Sequence, residues 1–180
     1  MTITRPLTAG EISIAQSVFG NSINYDAVRV HSGRLFGSMH KENFAKTTLS
    51  QIFMHNLYHD DFSKAHLGMQ ELFIHEMAHV WQYQQKAYNP RLIDLRNALK
   101  YTQDAYQYAL SDKKDLIEYG TEQQASIIAR YFLLQRQNNP ADKKEIALFK
   151  KVLGNFLKDP TYAKNAMFAQ LLKKIAPPQP

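Results

Sequence analysis

His75-Glu76-Met77-Ala78-His79 lies inside a segment whose apolar residues recur at the three- and four-residue steps of an α-helix. On a helix, the two histidines leave the same face one turn apart, so both imidazoles can bind one Zn²⁺ ion at about 2.0–2.1 Å. Glu76 then projects beside the metal, where it can take a proton from a water molecule. The stretch therefore predicts metal-dependent hydrolysis. The alternative is a helix with two core histidines and a coincidental glutamate.

The segments around this motif predict an α+β fold in which a short β-sheet is followed by a mostly helical bundle that carries the motif helix. Before the motif, Thr8 and Glu11 form the pattern of a capping box, which opens a helix that runs to about Phe19. Strands are predicted over residues 25–31 and 49–57. The motif helix is predicted to begin at 64 or 67 and to end at 85. Further helices are predicted over 89–110, from a start between 115 and 121 to residue 137, after a second capping box at 142–145, and over 159–175. We expect residues 177–180 to form a frayed end.

The composition limits the kinds of site that the chain can hold. At 180 residues it suits a single domain over 1–180. It contains no cysteine, which excludes disulfides and thiolate metal sites, so histidine, aspartate or glutamate must bind any metal. No apolar run reaches the roughly 18–20 residues that a membrane span needs. The first residues also lack the basic and then apolar layout of a secretory signal.

The net charge of +6 is concentrated at one end of the sequence. Residues 141–180, which we interpret as a basic helical C-terminal extension, contain eight lysines and three acidic residues. This excess is typical of solvated helix faces, and the alternative is a surface that meets an anionic partner. No nucleic-acid-binding motif is present, so we expect no nucleic-acid partner.

Two histidines do not complete a catalytic zinc site, which usually has three protein ligands and a water molecule. The known extension H-E-x-x-H-x-x-G-x-x-H fails here, because Gln82 and Gln85 occupy its glycine and third-histidine positions. We therefore expect the third ligand to be a carboxylate on a later helix. The candidates are Asp94, Asp104, Asp112, Asp115, Glu118 and Glu122. Glu122 leads because it opens a segment of small and apolar residues that can approach the motif helix closely, and Glu118 comes next.

Other polar residues near the motif are weaker candidates. Lone histidines are more often structural, and we expect this for His31, His55, His59 and His66. Tyr119 and Tyr131 flank the Glu122 segment, and a tyrosine hydroxyl can stabilise a developing oxyanion. Because the chain has ten tyrosines, this position alone is weak support for a catalytic role.

Several of these segments together resemble the small Vgr/Rhs-related zinc metallopeptidases of bacteria. They are also similar to the metallopeptidase-like domain associated with extracellular contractile injection systems. The resemblance covers about residues 7–135 and depends on residues 7–11, 18–20, 25–31, 75–82 and 122–125. It implies a zincin of the gluzincin kind that uses Zn²⁺, with His75, His79 and Glu122 as metal ligands and Glu76 as general base. It also implies an association with type VI or related injection machinery.

The leading hypothesis is a zinc-dependent peptidase whose partners are a peptide or protein substrate and components of a secretion system. The predicted strand at Gln51–Asn56 would present an edge to which an extended peptide adds. An alternative is a non-catalytic accessory or partner-binding protein of an injection system, and a third is a toxin that hydrolyses peptide crosslinks of the cell wall. The expected location is the bacterial cytoplasm, or outside it after export that needs no signal peptide.

Overall fold

The structure, a computed structural model, describes residues 2–34, 43–87 and 106–164. Within these ranges the strands are β1 (Thr4–Arg5), β2 (Arg29–His31), β3 (Phe44–Thr48) and β4 (Gln51–His55). The helices are α1 (Ala9–Phe19), α2 (Leu67–Gln85), α3 (Thr121–Gln137), α4 (Lys143–Val152) and α5 (Gly154–Lys158). Single helical turns lie at Tyr25–Ala27, Phe62–Lys64, Leu116–Glu118 and Pro140–Asp142. The predicted α+β class, with a small sheet followed by helices, is confirmed.

The four strands form one sheet in the order β1-β2-β4-β3. β1 is antiparallel to β2, β2 is parallel to β4, and β4 is antiparallel to β3. The strand predicted over 49–57 is confirmed as β4, but the expectation that Gln51–Asn56 presents an edge is wrong, because β4 is paired on both sides. β3 is the strand at that edge of the sheet, and it packs against α2.

The sequence did not predict β3, for two physical reasons. All five of its residues are half-buried, so the strand lacks the alternation of buried and exposed residues that marks a strand with one solvated face. The hairpin to β4 turns at Leu49 and Ser50, where Leu49 has a φ of 57°. A leucine is unusual at a position that favours glycine or asparagine, so no turn signal is visible.

The predicted helix α1 and its capping box are confirmed. The Thr8 hydroxyl accepts a hydrogen bond from the Glu11 amide, and the Glu11 carboxylate accepts one from the Thr8 amide. Glu11 is completely buried, and its two oxygens accept hydrogen bonds of 2.7 Å from the Arg5 guanidinium. The same carboxylate accepts a bond of 2.9 Å from the Phe62 amide. Glu11 therefore ties β1, α1 and the turn before α2 together.

α2 is the central element of the core, and its largest interface is with α3. Ala125 and Ala129 are buried on α3, and their small side chains let the two helix backbones approach each other. Trp81 is buried on α2, and its indole N–H donates to the carbonyl of Pro160, which fastens the C-terminal part of the described chain to α2. No described helix is both long and apolar enough to cross a membrane.

Some predicted element bounds differ from the structure. Residues 25–27 form a helical turn, and only Arg29–His31 is a strand, because the buried positions change from three-residue to two-residue spacing at Val28. Asp142 makes no side-chain cap bond; instead Asn139 caps the preceding turn by accepting from the Ala141 amide.

Other predicted elements lie partly or wholly outside the described residues. Most of the predicted helix over 89–110 lies there, and its described end, 106–110, is not helical. The predicted helix over 159–175 is described only as far as Lys164, and the expected frayed end at 177–180 is also outside. The single domain over 1–180 stays a prediction.

Candidate metal centre

The structure brings three of the predicted site residues to one point. His75 and His79 lie one turn apart on α2, and Glu122 lies in the first turn of α3. The Nε2 atoms of the two histidines are 3.2 Å apart. Oε2 of Glu122 is 3.4 Å from Nε2 of His75 and 3.2 Å from Nε2 of His79. Among the described residues, these three form the one group of histidines and carboxylates able to hold a metal ion together.

These distances fit a tetrahedral zinc site. Ligand bonds of about 2.0–2.1 Å around a tetrahedral ion place neighbouring ligand atoms about 3.3–3.4 Å apart. The three observed separations, 3.2, 3.2 and 3.4 Å, fall close to that value. Two imidazoles and one carboxylate are also a ligand set that catalytic zinc uses, with a fourth position left for water or substrate.

Strong electrostatic coupling joins the three groups. Burial alone lowers the pKa of His79, but the hydrogen bond and the negative charge of Glu122 outweigh it and raise this pKa to about 9. Burial alone raises the pKa of Glu122, whereas the hydrogen bonds from His75 and His79 hold it well below its usual range. The three groups together therefore favour a positive charge between them, which a metal cation would supply.

Two buried glutamines determine how His79 presents its ring. Nε2 of Gln124 donates to the carbonyl of Tyr119, so its Oε1 is free to accept from Nε2 of Gln82 at 3.0 Å. Nε2 of Gln82 also donates to the carbonyl of Thr121 at 2.8 Å. Oε1 of Gln82 therefore faces Nδ1 of His79 at 2.8 Å, which requires the proton on Nδ1. The lone pair of Nε2 then points to the metal position.

Glu76, the predicted general base, lines a cavity together with the three residues of the cluster. Glu76 is buried, with 4% of its surface exposed. Its Oε2 atom accepts a hydrogen bond of 2.7 Å from the hydroxyl of Thr47 on β3. No local sequence pattern points to Thr47, because the strand that carries it was not predicted.

Two adjoining cavities open onto this cluster. The smaller, of about 270 Å³, is lined by residues 45–49 of β3 and its turn, by Tyr83 and Tyr106, and by the cluster itself. The larger, of about 560 Å³, shares Ala45, His75, Glu76 and Tyr106 with it. The ring of Tyr106 lies 6.0 Å from that of His75, and the sequence did not single out this tyrosine. The cluster is therefore open to a ligand along β3.

The other carboxylate candidates have different positions. Glu118 closes a capping box by accepting from the amide of Asp115, and Asp115 accepts hydrogen bonds from Ile117, Asn155 and Tyr162. Asp112 is exposed and pairs with Lys151 at 3.4 Å. Asp94 and Asp104 lie outside the described residues.

The weaker histidine and tyrosine candidates also lie away from the cluster. His31 is hydrogen-bonded to Thr4 and Gln51 and stacks on Phe53. The Tyr119 hydroxyl accepts from the amide of Ser111. His55, His59, His66 and Tyr131 do not line either cavity.

Comparison with known proteins relates the chain to bacterial secretion. No family model matches it. It is 36% identical over 155 residues to the type VI secretion system spike protein VgrG2b of Pseudomonas aeruginosa, a match that covers 84% of this chain and 15% of that protein. The chain thus spans only about 15% of the length of this curated relative. It is also similar to the solved effector domain of Pseudomonas aeruginosa VgrG2b, with 32% identity, a TM-score of 0.63, and coverage of 83% of this chain and 82% of the domain.

Proposed function

The chain belongs to the same family as the effector domain of the type VI secretion spike protein VgrG2b, and we propose that it is a zinc-dependent peptidase that acts as an effector. The observation that carries the proposal is the convergence of His75, His79 and Glu122 at tetrahedral spacing beside the buried carboxylate of Glu76. The peptidase activity, the zinc ion and the gluzincin-like ligand set all belong to this proposal.

The residues of the site have separable roles. His75, His79 and Glu122 would hold Zn²⁺, which when bound supplies a Lewis acid and lowers the pKa of water towards about 7. Thr47 binds Oε2 of Glu76 and leaves Oε1 to accept a proton from the attacking water. Glu76 then returns this proton to the nitrogen of the leaving amine.

The edge strand β3 is suited to bind an extended peptide. Its residues line the smaller cavity, and among the described residues no strand pairs with its outer side. A substrate that adds to β3 as a further strand would have main-chain hydrogen bonds to the sheet and would pass the metal cluster. In this proposal β3 is the edge strand that binds the peptide, a role that the sequence analysis expected for residues 51–56.

Glu76→Gln tests the proposal directly. The amide keeps an oxygen that can accept from Thr47 but cannot take up a proton, so we expect normal zinc content and no hydrolysis. Zinc would be measured by mass spectrometry, and cleavage with a mixed peptide library and with peptidoglycan stem peptides. Glu145→Gln, on the exposed surface of α4, is the matched control. A Glu76→Gln protein as active as the wild type would overturn the mechanism.

A second candidate function is suggested by the name of the full-length relative, a spike protein. The chain would then be a non-catalytic accessory domain that binds a partner. A wild-type protein that contains zinc but cleaves none of the peptides would favour this function. Cleavage confined to the peptidoglycan stems would instead identify a toxin against cell-wall crosslinks.

A further inference from the structure

The larger cavity beside the metal cluster contains a carboxylate that the proposed reaction does not use. Glu71 lies on α2 one turn before His75, and both side chains line this cavity of about 560 Å³. Side chains four residues apart on a helix are neighbours, with Cβ atoms about 5–6 Å apart. A group bound at Glu71 would therefore lie one helical turn from the metal position.

Glu71 lacks a close partner in the part of the chain that the structure describes. Its charge interacts with Arg130 and His75, but no described residue forms a hydrogen bond or a close ion pair with it. Arg130, which also lines the cavity, is bound by Glu145 at 3.4 Å. Glu71, Glu145 and Arg130 together therefore carry one negative charge in excess.

Burial raises the pKa of Glu71, although the nearby charges of Arg130 and His75 oppose this effect. A partly buried carboxylate without a close partner has lost part of its hydration and gained little in return. A cationic group from a ligand would supply the missing partner.

The rest of the cavity wall suits the stem of a long side chain. It is lined by Phe44, Leu57, Leu72, Ala129 and Tyr108. Lysine carries its ammonium on a flexible four-carbon stem, which can cover apolar surface while the charged end reaches a polar group. Apolar walls that lead to one carboxylate match this combination.

We propose that this cavity is a substrate subsite that binds a primary ammonium of the peptide through Glu71, with the apolar stem along Leu57 and Leu72. The subsite rests on the proposed peptidase function and specifies its substrate class. The ammonium belongs either to a lysine-like side chain near the scissile bond or to the free amino terminus of the peptide.

Matched peptides test this subsite. One series carries lysine or norleucine, which has an uncharged stem, at each position next to the scissile bond. Each peptide is made with a free and with an acetylated amino terminus. For the wild type we expect kcat/KM to be roughly tenfold higher with the ammonium present, in keeping with a hydrogen bond between charged groups. If the side chain is bound, lysine peptides are preferred over norleucine peptides whether or not the amino terminus is acetylated. If the amino terminus is bound, free peptides are preferred over acetylated ones whichever of the two residues they carry.

Two variants locate the effect. Glu71→Gln should reduce the preference to near unity. Asp26→Asn removes an equal charge from an exposed turn outside the cavity lining and leaves the Arg130–Glu145 pair intact, so it should keep the preference. An equal loss in both variants would mean a long-range field and would overturn the subsite, as would a wild type without any preference.

A binding measurement separates the subsite from the proposed reaction. Zinc-loaded Glu76→Gln, alone and combined with Glu71→Gln, would be titrated with the same peptides by fluorescence anisotropy. Tighter binding of the ammonium peptide that depends on Glu71, with no cleavage by the wild type, would support the subsite and contradict the peptidase. Cleavage without preference, and equal binding of both peptides, would support the peptidase and contradict the subsite.

Discussion

The hydroxyl of Thr47 donates a hydrogen bond of 2.7 Å to Oε2 of Glu76 and also lies 3.3 Å from the main-chain carbonyl of Glu76. Thr47 belongs to the edge strand β3 and Glu76 to α2, so this contact joins the strand to the helix at the cluster. Because Glu76 is buried, the bond offsets part of the cost of removing its carboxylate from water. The bond occupies Oε2 and leaves Oε1 outside this contact.

Thr47→Val should lower kcat by about 10- to 100-fold with little change in KM, since a lost hydrogen bond to a charged group costs about 1.5–3 kcal/mol. Thr47→Ser keeps the hydroxyl and should retain most of the activity. Steady-state kinetics on one cleaved peptide would measure both. Equal activity of the two variants would remove Thr47 from the mechanism.

Gln82→Leu should weaken zinc binding by about 10- to 100-fold, because His79 loses the acceptor that holds its proton on Nδ1. Competition with a chromophoric chelator would measure the affinity without any activity assay. Gln84→Leu on the same helix is the control, since Gln84 contacts Asn24 and Ser50 instead of the cluster. If both variants bind zinc as tightly as the wild type, the glutamines do not orient His79.

Glu122→Ala should lose zinc, because the variant keeps only two of the three proposed ligands. Glu118→Ala removes a carboxylate that caps a turn, and it should keep zinc at a stability cost of about 1 kcal/mol. Metal content per chain after dialysis would be compared for both proteins. Unchanged zinc in Glu122→Ala would exclude Glu122 from the site.

Alkaline pH should weaken the attachment of Tyr162 to the turn before α3. The Tyr162 hydroxyl donates to Asp115 at 2.5 Å, and burial together with this bond raises its pKa well above the usual 10. Since the folded pKa is raised, the contribution is complete below pH 10 and is lost as pH rises towards the folded value. In urea unfolding at pH 8 and pH 11, Tyr162→Phe should lose less stability between the two pH values than the wild type. Equal losses would contradict this.

Glu11→Gln should destabilise the fold by about 3–5 kcal/mol, because the Arg5 guanidinium would keep only neutral partners in a largely buried position. The exposed change Glu145→Gln should stay within about 0.5 kcal/mol of the wild type. Chemical denaturation followed by circular dichroism would measure both. A small effect of Glu11→Gln would mean that water reaches Arg5.

Elements defined by near neighbours could be predicted from the sequence. The capping box at Thr8 and Glu11 needs residues only three positions apart, and the helical spacing of apolar residues predicted α2 with its end at Gln85. Elements defined by partners distant in sequence could not be predicted in this way. β3 has no local pattern because it is half-buried along its length, and its turn at Leu49 lacks the usual residue types.

By itself, the sequence determined that His75, Glu76 and His79 lie together on one helix, because helical periodicity fixes the relation of residues four apart. It could only rank Glu122 above Glu118 as the third ligand. The tertiary structure separates their positions: α3 packs on α2 and brings the Glu122 carboxylate to both histidines, while Glu118 caps a turn. It also brings the Thr47 hydroxyl to the Glu76 carboxylate. Glu71, in turn, lines the larger cavity. These relations depend on how strands and helices distant in sequence pack together, and local spacing does not encode such packing.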